Sequence, residues 1–131
     1  MTTQQVQVPS NWEGSMPEYV AYQTFIELGL QPGQDFTYQS PLMGGRLDKG
    51  GFIIDFMFTN PPDLAVNIQG LYYHYEKNGV EAKARDTIAR VGLAGDNITL
   101  VFIDDDDLLR APQYYCREAL NFRDHSRLGG G

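Results

Sequence analysis

The stretch Gly51-Phe-Ile-Ile-Asp-Phe-Met-Phe58, then Asn60-Pro-Pro-Asp63, then Leu64-Ala-Val-Asn-Ile-Gln69 decides the fold class. Its first part reads as one strand, almost wholly apolar, with a single carboxylate, Asp55, in the middle. The prolines lock φ and remove backbone donors, so Asn60–Asp63 reads as a hairpin-like turn. The last part alternates, placing Leu64, Val66 and Ile68 on one face of a second strand and Asn67 and Gln69 on the other.

Upstream, the spacing of Tyr22, Phe25, Ile26 and Gly29 predicts a helix over 16–28. Ser15 is its N-cap, Pro17 lies in its first turn and Gly29 is a natural stop. Residues 35–39 read as a short extended segment, and 41–51 as a loop containing Gly44, Gly45, Gly50 and Gly51. Downstream, Gly70 leads into Leu71-Tyr-Tyr-His-Tyr75. Val80, Ala84, Ile88 and Val91 then form the apolar stripe of a helix over 80–93. Gly95-Asp-Asn97 is a turn, Ile98–Ile103 an apolar strand, and Pro112 opens a helix over 112–122. This order predicts an α/β fold, a mixed sheet with helices on its faces, and a right-handed crossover between the strands 64–69 and 98–103. Residues 15–122 are expected to form one domain, with a flexible leader at 1–14 and a flexible tail at 123–131.

With 42% hydrophobic and 21% charged residues, the chain is not of the disordered class. No apolar run approaches the ~18 residues of a membrane-spanning helix, and the polar N-terminus lacks the pattern of a secretory signal. The single cysteine, Cys116, rules out an internal disulfide and a cysteine-built zinc site, which fits a cytoplasmic setting. A net charge of −7 speaks against a sequence-independent nucleic-acid coat protein. The distribution softens this, because Asp104–Asp107 form one acidic run and the region from Arg46 to Arg90 is locally neutral.

Four residues can carry chemistry. Asp55, inside an apolar strand, needs a metal, a cation or hydrogen bonds; the plain alternative is a solvent-side acid or a partner of Arg85. His74 follows a strand end among tyrosines; it is either a packed aromatic-cluster histidine or a proton acceptor near neutral pH. Asp86 beside Arg85 is otherwise a surface ion pair. Glu18 completes a capping box with Ser15, which explains it without catalysis. The acidic run reads as a solvated turn or helix start, with divalent-cation binding as the minor alternative. His125 reads as incidental.

The order Asp55, Leu64–Gly70, Tyr72-Tyr73-His74, Arg85-Asp86 and a following apolar strand resembles the very-short-patch-repair-like nucleases. These are a branch of the PD-(D/E)XK, restriction-endonuclease-like superfamily. The resemblance spans residues 16–110 and implies a restriction-endonuclease-like mixed sheet performing metal-assisted phosphodiester hydrolysis. It implies that Asp55 and the backbone carbonyl of Ile68 hold Mg²⁺, that His74 activates water, that Asp86 orients His74, and that Glu18 joins the site from the first helix. Tyr72 and Tyr73 fall where relatives carry base-wedging aromatics, with at least one of them equally at home in a core. Arg46, Lys49, Lys83 and Arg90 are the candidate phosphate contacts.

The chain departs from the commoner superfamily pattern, an acid, one residue, then lysine on the second strand. Asn67 and Gln69 stand there instead, removing a metal ligand and a transition-state cation. The branch's zinc ligands are also missing. The expected function is a Mg²⁺-dependent endonuclease acting on double-stranded DNA, targeted through a homodimer or a partner protein. The rival is a catalytically silent member of the fold serving binding or assembly, for example encoded by a phage.

Overall fold

The structure, a computed structural model, describes residues 7–12, 14–38, 47–49, 52–70, 94–95 and 97–127, with the backbone course alone for 47–49 and 52–53. The alternation in Leu64–Gln69 sets the layers. This segment is strand β5, and its Leu64, Val66 and Ile68 face a helical layer.

Helix α1 spans Met16–Glu27 and is opened by the full capping box between Ser15 and Glu18. It ends where Gly29 takes φ +100°, a conformation that costs glycine little and other residues much. Strand β1, Phe36–Tyr38, is the extended segment expected at 35–39. Next come β2, Leu47–Lys49, β3, Phe52–Ile54, and β4, Phe56–Phe58. After β5 follow β6, Thr99–Asp104, helix α2, Asp105–Arg110, and helix α3, Pro112–Leu120. Strands β1, β4, β5 and β6 form a mixed four-stranded sheet in that order. β1–β4 and β4–β5 are antiparallel, while β5–β6 is parallel, with Ile68 opposite Ile103 and Gln69 opposite Asp104. The chain is thus a small α/β domain with helices against a mixed sheet.

Phe36, Phe56, Phe58, Leu64, Val66, Val101 and Ile103 meet Ala21 and Phe25 of α1, Leu108 of α2, and Cys116 and Ala119 of α3. Phe25 is fully buried, with its ring 4.9 Å from that of Phe58 and 5.4 Å from that of Phe56. On the opposite face Ala65, Leu100 and Phe102 pack with Ile54 and Ile98.

Several expectations need correction. The single strand over 51–58 is two strands broken at Asp55, with β3 paired to β2 in a separate two-stranded sheet. Ile54 packs on one face of the main sheet and Phe56 on the other, although residues two apart in an unbroken strand share a face. The glycine-containing loop at 41–51 therefore includes β2. The helix expected over 112–122 forms as α3, and α2 stops short of it because Ala111, which precedes Pro112, adopts φ −147° and ψ 71°. A residue before proline is pushed out of helical geometry, so the break is local in origin.

Described residues on both flanks of the 15–122 region contact it. Trp12 stacks on Tyr38, 4.7 Å between ring centroids. Asp124 accepts the Phe102 N–H of β6 at 3.0 Å, and Arg127 binds Asp104 and Asp106. Among the described residues β6 is at the edge of the sheet, and the 124–127 segment satisfies one of its outward donors. The expected helix over 80–93, and with it the hand of the crossover, lies outside the described residues. Among the described residues no helix is long and apolar enough to cross a membrane.

Phe25 is the main tie between α1 and the sheet. Phe25→Ala is expected to lower unfolding free energy by about 3–5 kcal/mol, the usual cost of truncating a buried phenylalanine, measured by urea titration.

Candidate functional site

Asp55 sits at the strand break, only 7% exposed, where the β4–β5 ladder stops after the Phe56–Val66 pair. Beyond that pair, side chains take over from backbone acceptors. The Asp55 N–H donates to Asn67 Oδ1 at 2.8 Å, and the Ile68 N–H donates to Asp55 Oδ2 at 2.9 Å. The carboxylate in the apolar segment is thus tied to the neighbouring strand by a charge-assisted bond, rather than lying on the solvent side. The N–H and C=O of one strand residue point to the same edge, so the Ile68 carbonyl leaves β5 on the side facing Asp55.

Glu18 is brought to the same end of the sheet by α1. Its Oε1 accepts the Ser15 N–H at 3.3 Å and the Tyr38 hydroxyl at 2.5 Å. Among the described residues its Oε2 makes no hydrogen bond. Tyr38 lies in β1 opposite Phe56, the residue after Asp55. Burial, then the hydrogen bond and charge of Glu18, then the charge of Asp55 push the Tyr38 phenol far above its ordinary range. Asp55, Tyr38 and Glu18 therefore share one electrostatic neighbourhood. Trp12 covers Tyr38, donates from Nε1 to the Ser15 carbonyl at 3.0 Å, and also meets the rings of Tyr19 and Tyr22. Gly14 passes so close that a Cβ there would lie 2.0 Å from the Tyr38 hydroxyl and 2.6 Å from Glu18 Oε1.

A second acidic group lies where β6 becomes α2. Carboxylate oxygens of Asp104, Asp106 and Asp107 come within 4.8 Å of one another, a set that could hold a metal ion. Arginines already meet each of them: Arg127 binds Asp104 at 2.8 Å and Asp106 at 3.0 Å, and Arg110 binds Asp107 at 2.6 Å. The run is a helix start, as expected, but Asp104 is buried rather than solvated. Beside it in register, the Gln69 side chain is buried, and among the described residues neither of its amide atoms has a hydrogen-bond partner.

Of the residues expected at the site, the structure gathers Glu18, Asp55 and Ile68. Lys49 is described by backbone course alone, in β2. Arg46, Tyr72, Tyr73, His74, Lys83, Arg85, Asp86 and Arg90 lie outside the described residues. His125 is bonded to Glu118 at 2.9 Å, with Tyr114 and Tyr115 beside it. Burial, and secondarily the charge of Glu27, pushes the Cys116 thiol up to about 12, which leaves it inert at neutral pH. The sequence reading missed Tyr38, Gly14 and Trp12. The available signal was a bulky aromatic just ahead of a capping box, in Trp12-Glu-Gly-Ser15. Comparison with known proteins returned no matching family model, no matching curated protein and no matching solved structure.

Two outcomes are expected here. Glu18→Gln retains an oxygen for Ser15 and Tyr38, so it should cost less than about 1 kcal/mol, mainly the lost charge at the helix N-terminus. Glu18→Ala removes the acceptor altogether and should cost about 1–3 kcal/mol in chemical denaturation. The second concerns pH. The Arg127 hydrogen bond holds the Asp106 carboxyl below its ordinary range. A lowered folded-state value means the contribution is present above the unfolded-state value and is lost as pH falls through the folded-state one. Arg127→Ala should therefore flatten the loss of melting temperature on acidification, modestly because the pair is half exposed.

Proposed function

We propose that the chain is a divalent-metal-dependent DNA endonuclease of the very-short-patch-repair-like type, cutting one strand or both by phosphodiester hydrolysis. The observation that carries this reading is Asp55 at a strand break, its carboxylate seated on the Ile68 amide, with Glu18 drawn to the same sheet end through Tyr38. The donor set is all oxygen, as a hard cation such as Mg²⁺ requires. Asp55 and the Ile68 carbonyl would hold the ion, and the unbonded Oε2 of Glu18 suits a ligand or a bound water. When present, the ion supplies charge to the phosphate and lowers the pKa of a bound water. In this reading His74 takes the proton of the attacking water, and Asp86 holds the imidazole in the required tautomer. Tyr72 and Tyr73 contact bases, and Arg46, Lys49, Lys83 and Arg90 contact phosphates. Targeting comes from a partner protein or a second copy.

The rival reading, a catalytically silent binding or assembly module, also has specific support. Asp55 Oδ2 already accepts a backbone N–H, and Glu18 Oε1 is committed to the cap and to Tyr38. Asn67 spends its side-chain oxygen on the strand break, so it is a structural substitute for the usual acid.

Nicking of supercoiled plasmid DNA in Mg²⁺ tests the choice. Asp55→Asn keeps an oxygen for the Ile68 N–H while removing the charge, and His74→Ala removes the proton acceptor. Each should reduce the nicking rate at least about a hundredfold with the protein still folded. Wild-type protein that leaves the plasmid intact, or variants that cut as fast, would hand the chain to the rival reading.

A further inference from the structure

Glu18 carries two demands on one carboxylate. A helix start needs an acceptor for its unpaired N–H groups, and a metal site needs an oxygen with nothing else to do. The structure divides these demands between the two oxygens. Oε1 accepts both the Ser15 N–H and the Tyr38 hydroxyl, and among the described residues Oε2 accepts nothing. The Ser15 contact is long at 3.3 Å, so the Tyr38 bond is the stronger restraint on the rotation of the carboxylate.

Tyr38 is itself held from three sides. Trp12 stacks on its ring, and the Phe56 ring is 5.2 Å away between centroids. Gly14 comes past the hydroxyl so closely that a Cβ there would force the hydroxyl or the Glu18 carboxylate to move. A tyrosine that served only as core packing would need no such clearance at its oxygen.

We propose that Tyr38 is the positioning residue of the Glu18–Asp55 centre: its hydroxyl captures Glu18 Oε1 and so reserves Oε2 for a divalent cation shared with Asp55. This rests on the metal-centre reading above, and the experiment separates the two. Trp12, the chain's single tryptophan, lies on Tyr38 and reports the site through its fluorescence. The probe is Mn²⁺, a paramagnetic ion that quenches a nearby indole and that Mg²⁺ competes away. The signal that counts is the part lost in Asp55→Asn, which excludes binding to the Asp104, Asp106 and Asp107 group.

Tyr38→Phe is expected to weaken this Mn²⁺ binding about tenfold, the effect of one hydrogen bond to a charged group. The comparison is made at a temperature where circular dichroism shows both proteins fully folded. Gly14→Ala keeps the Tyr38 ring but displaces its hydroxyl, and should weaken binding to a similar degree; it carries the test if Tyr38→Phe does not fold. Glu18→Gln, which retains the cap, should abolish the Asp55-dependent quenching. Wild-type affinity in folded Tyr38→Phe or Gly14→Ala would overturn the role of Tyr38 and leave the metal centre standing. Absence of Asp55-dependent quenching in the wild type would overturn both.

Discussion

The reciprocal pair of bonds between Asp55 and β5 is the constraint on which the architecture turns. An apolar run such as Phe52–Phe58 would continue as one strand if nothing interrupted its ladder. Asn67 takes the Asp55 N–H, and Asp55 takes the Ile68 N–H, so two rungs pass through side chains. Side-chain acceptors do not keep the repeat of a backbone ladder, and the chain changes face between Ile54 and Phe56. β3 then leaves to pair with β2, while β4 stays in the main sheet.

Around that fork, one sheet end gathers the acidic chemistry. Asp55 lies by Ile68, Gln69 lies opposite Asp104, and the N-terminus of α1 delivers Glu18. The two acidic groups are handled differently. Asp104, Asp106 and Asp107 are met by arginines, which binds the chain end to the edge strand. Glu18 accepts from neutral donors, the Ser15 N–H and the Tyr38 phenol, and Asp55 accepts the Ile68 N–H. A neutral donor orients the Glu18 carboxylate without cancelling its charge.

Much of the scaffold was legible because its signals are local. The helix at 16–28 has an N-cap, a capping box and a terminal glycine, and it forms as Met16–Glu27. The alternation of Leu64–Gln69 places Leu64, Val66 and Ile68 together on the face that meets the helices, although the opposite face is buried as well. The reading failed where one residue's partner lies far along the chain. Asp55 breaks its strand through residues 12 and 13 positions away, and Tyr38 finds Glu18 across 20. Arg127, read as part of a tail, is bonded to acids more than 20 residues earlier. No periodicity within a short window carries such information.

By itself the amino-acid order determined the helices that form at 16–27 and 112–120, the strands at 64–69 and 99–104, and that Glu18 would cap the first helix. Those properties follow from backbone geometry and from side chains within a turn or two. Only the tertiary structure decided that the Asp55 strand divides, that Glu18 has one oxygen engaged and one unbonded, and that Tyr38 stands between the two acids. These depend on which groups become neighbours when the sheet closes, and on donors and acceptors that are buried together and must be satisfied together.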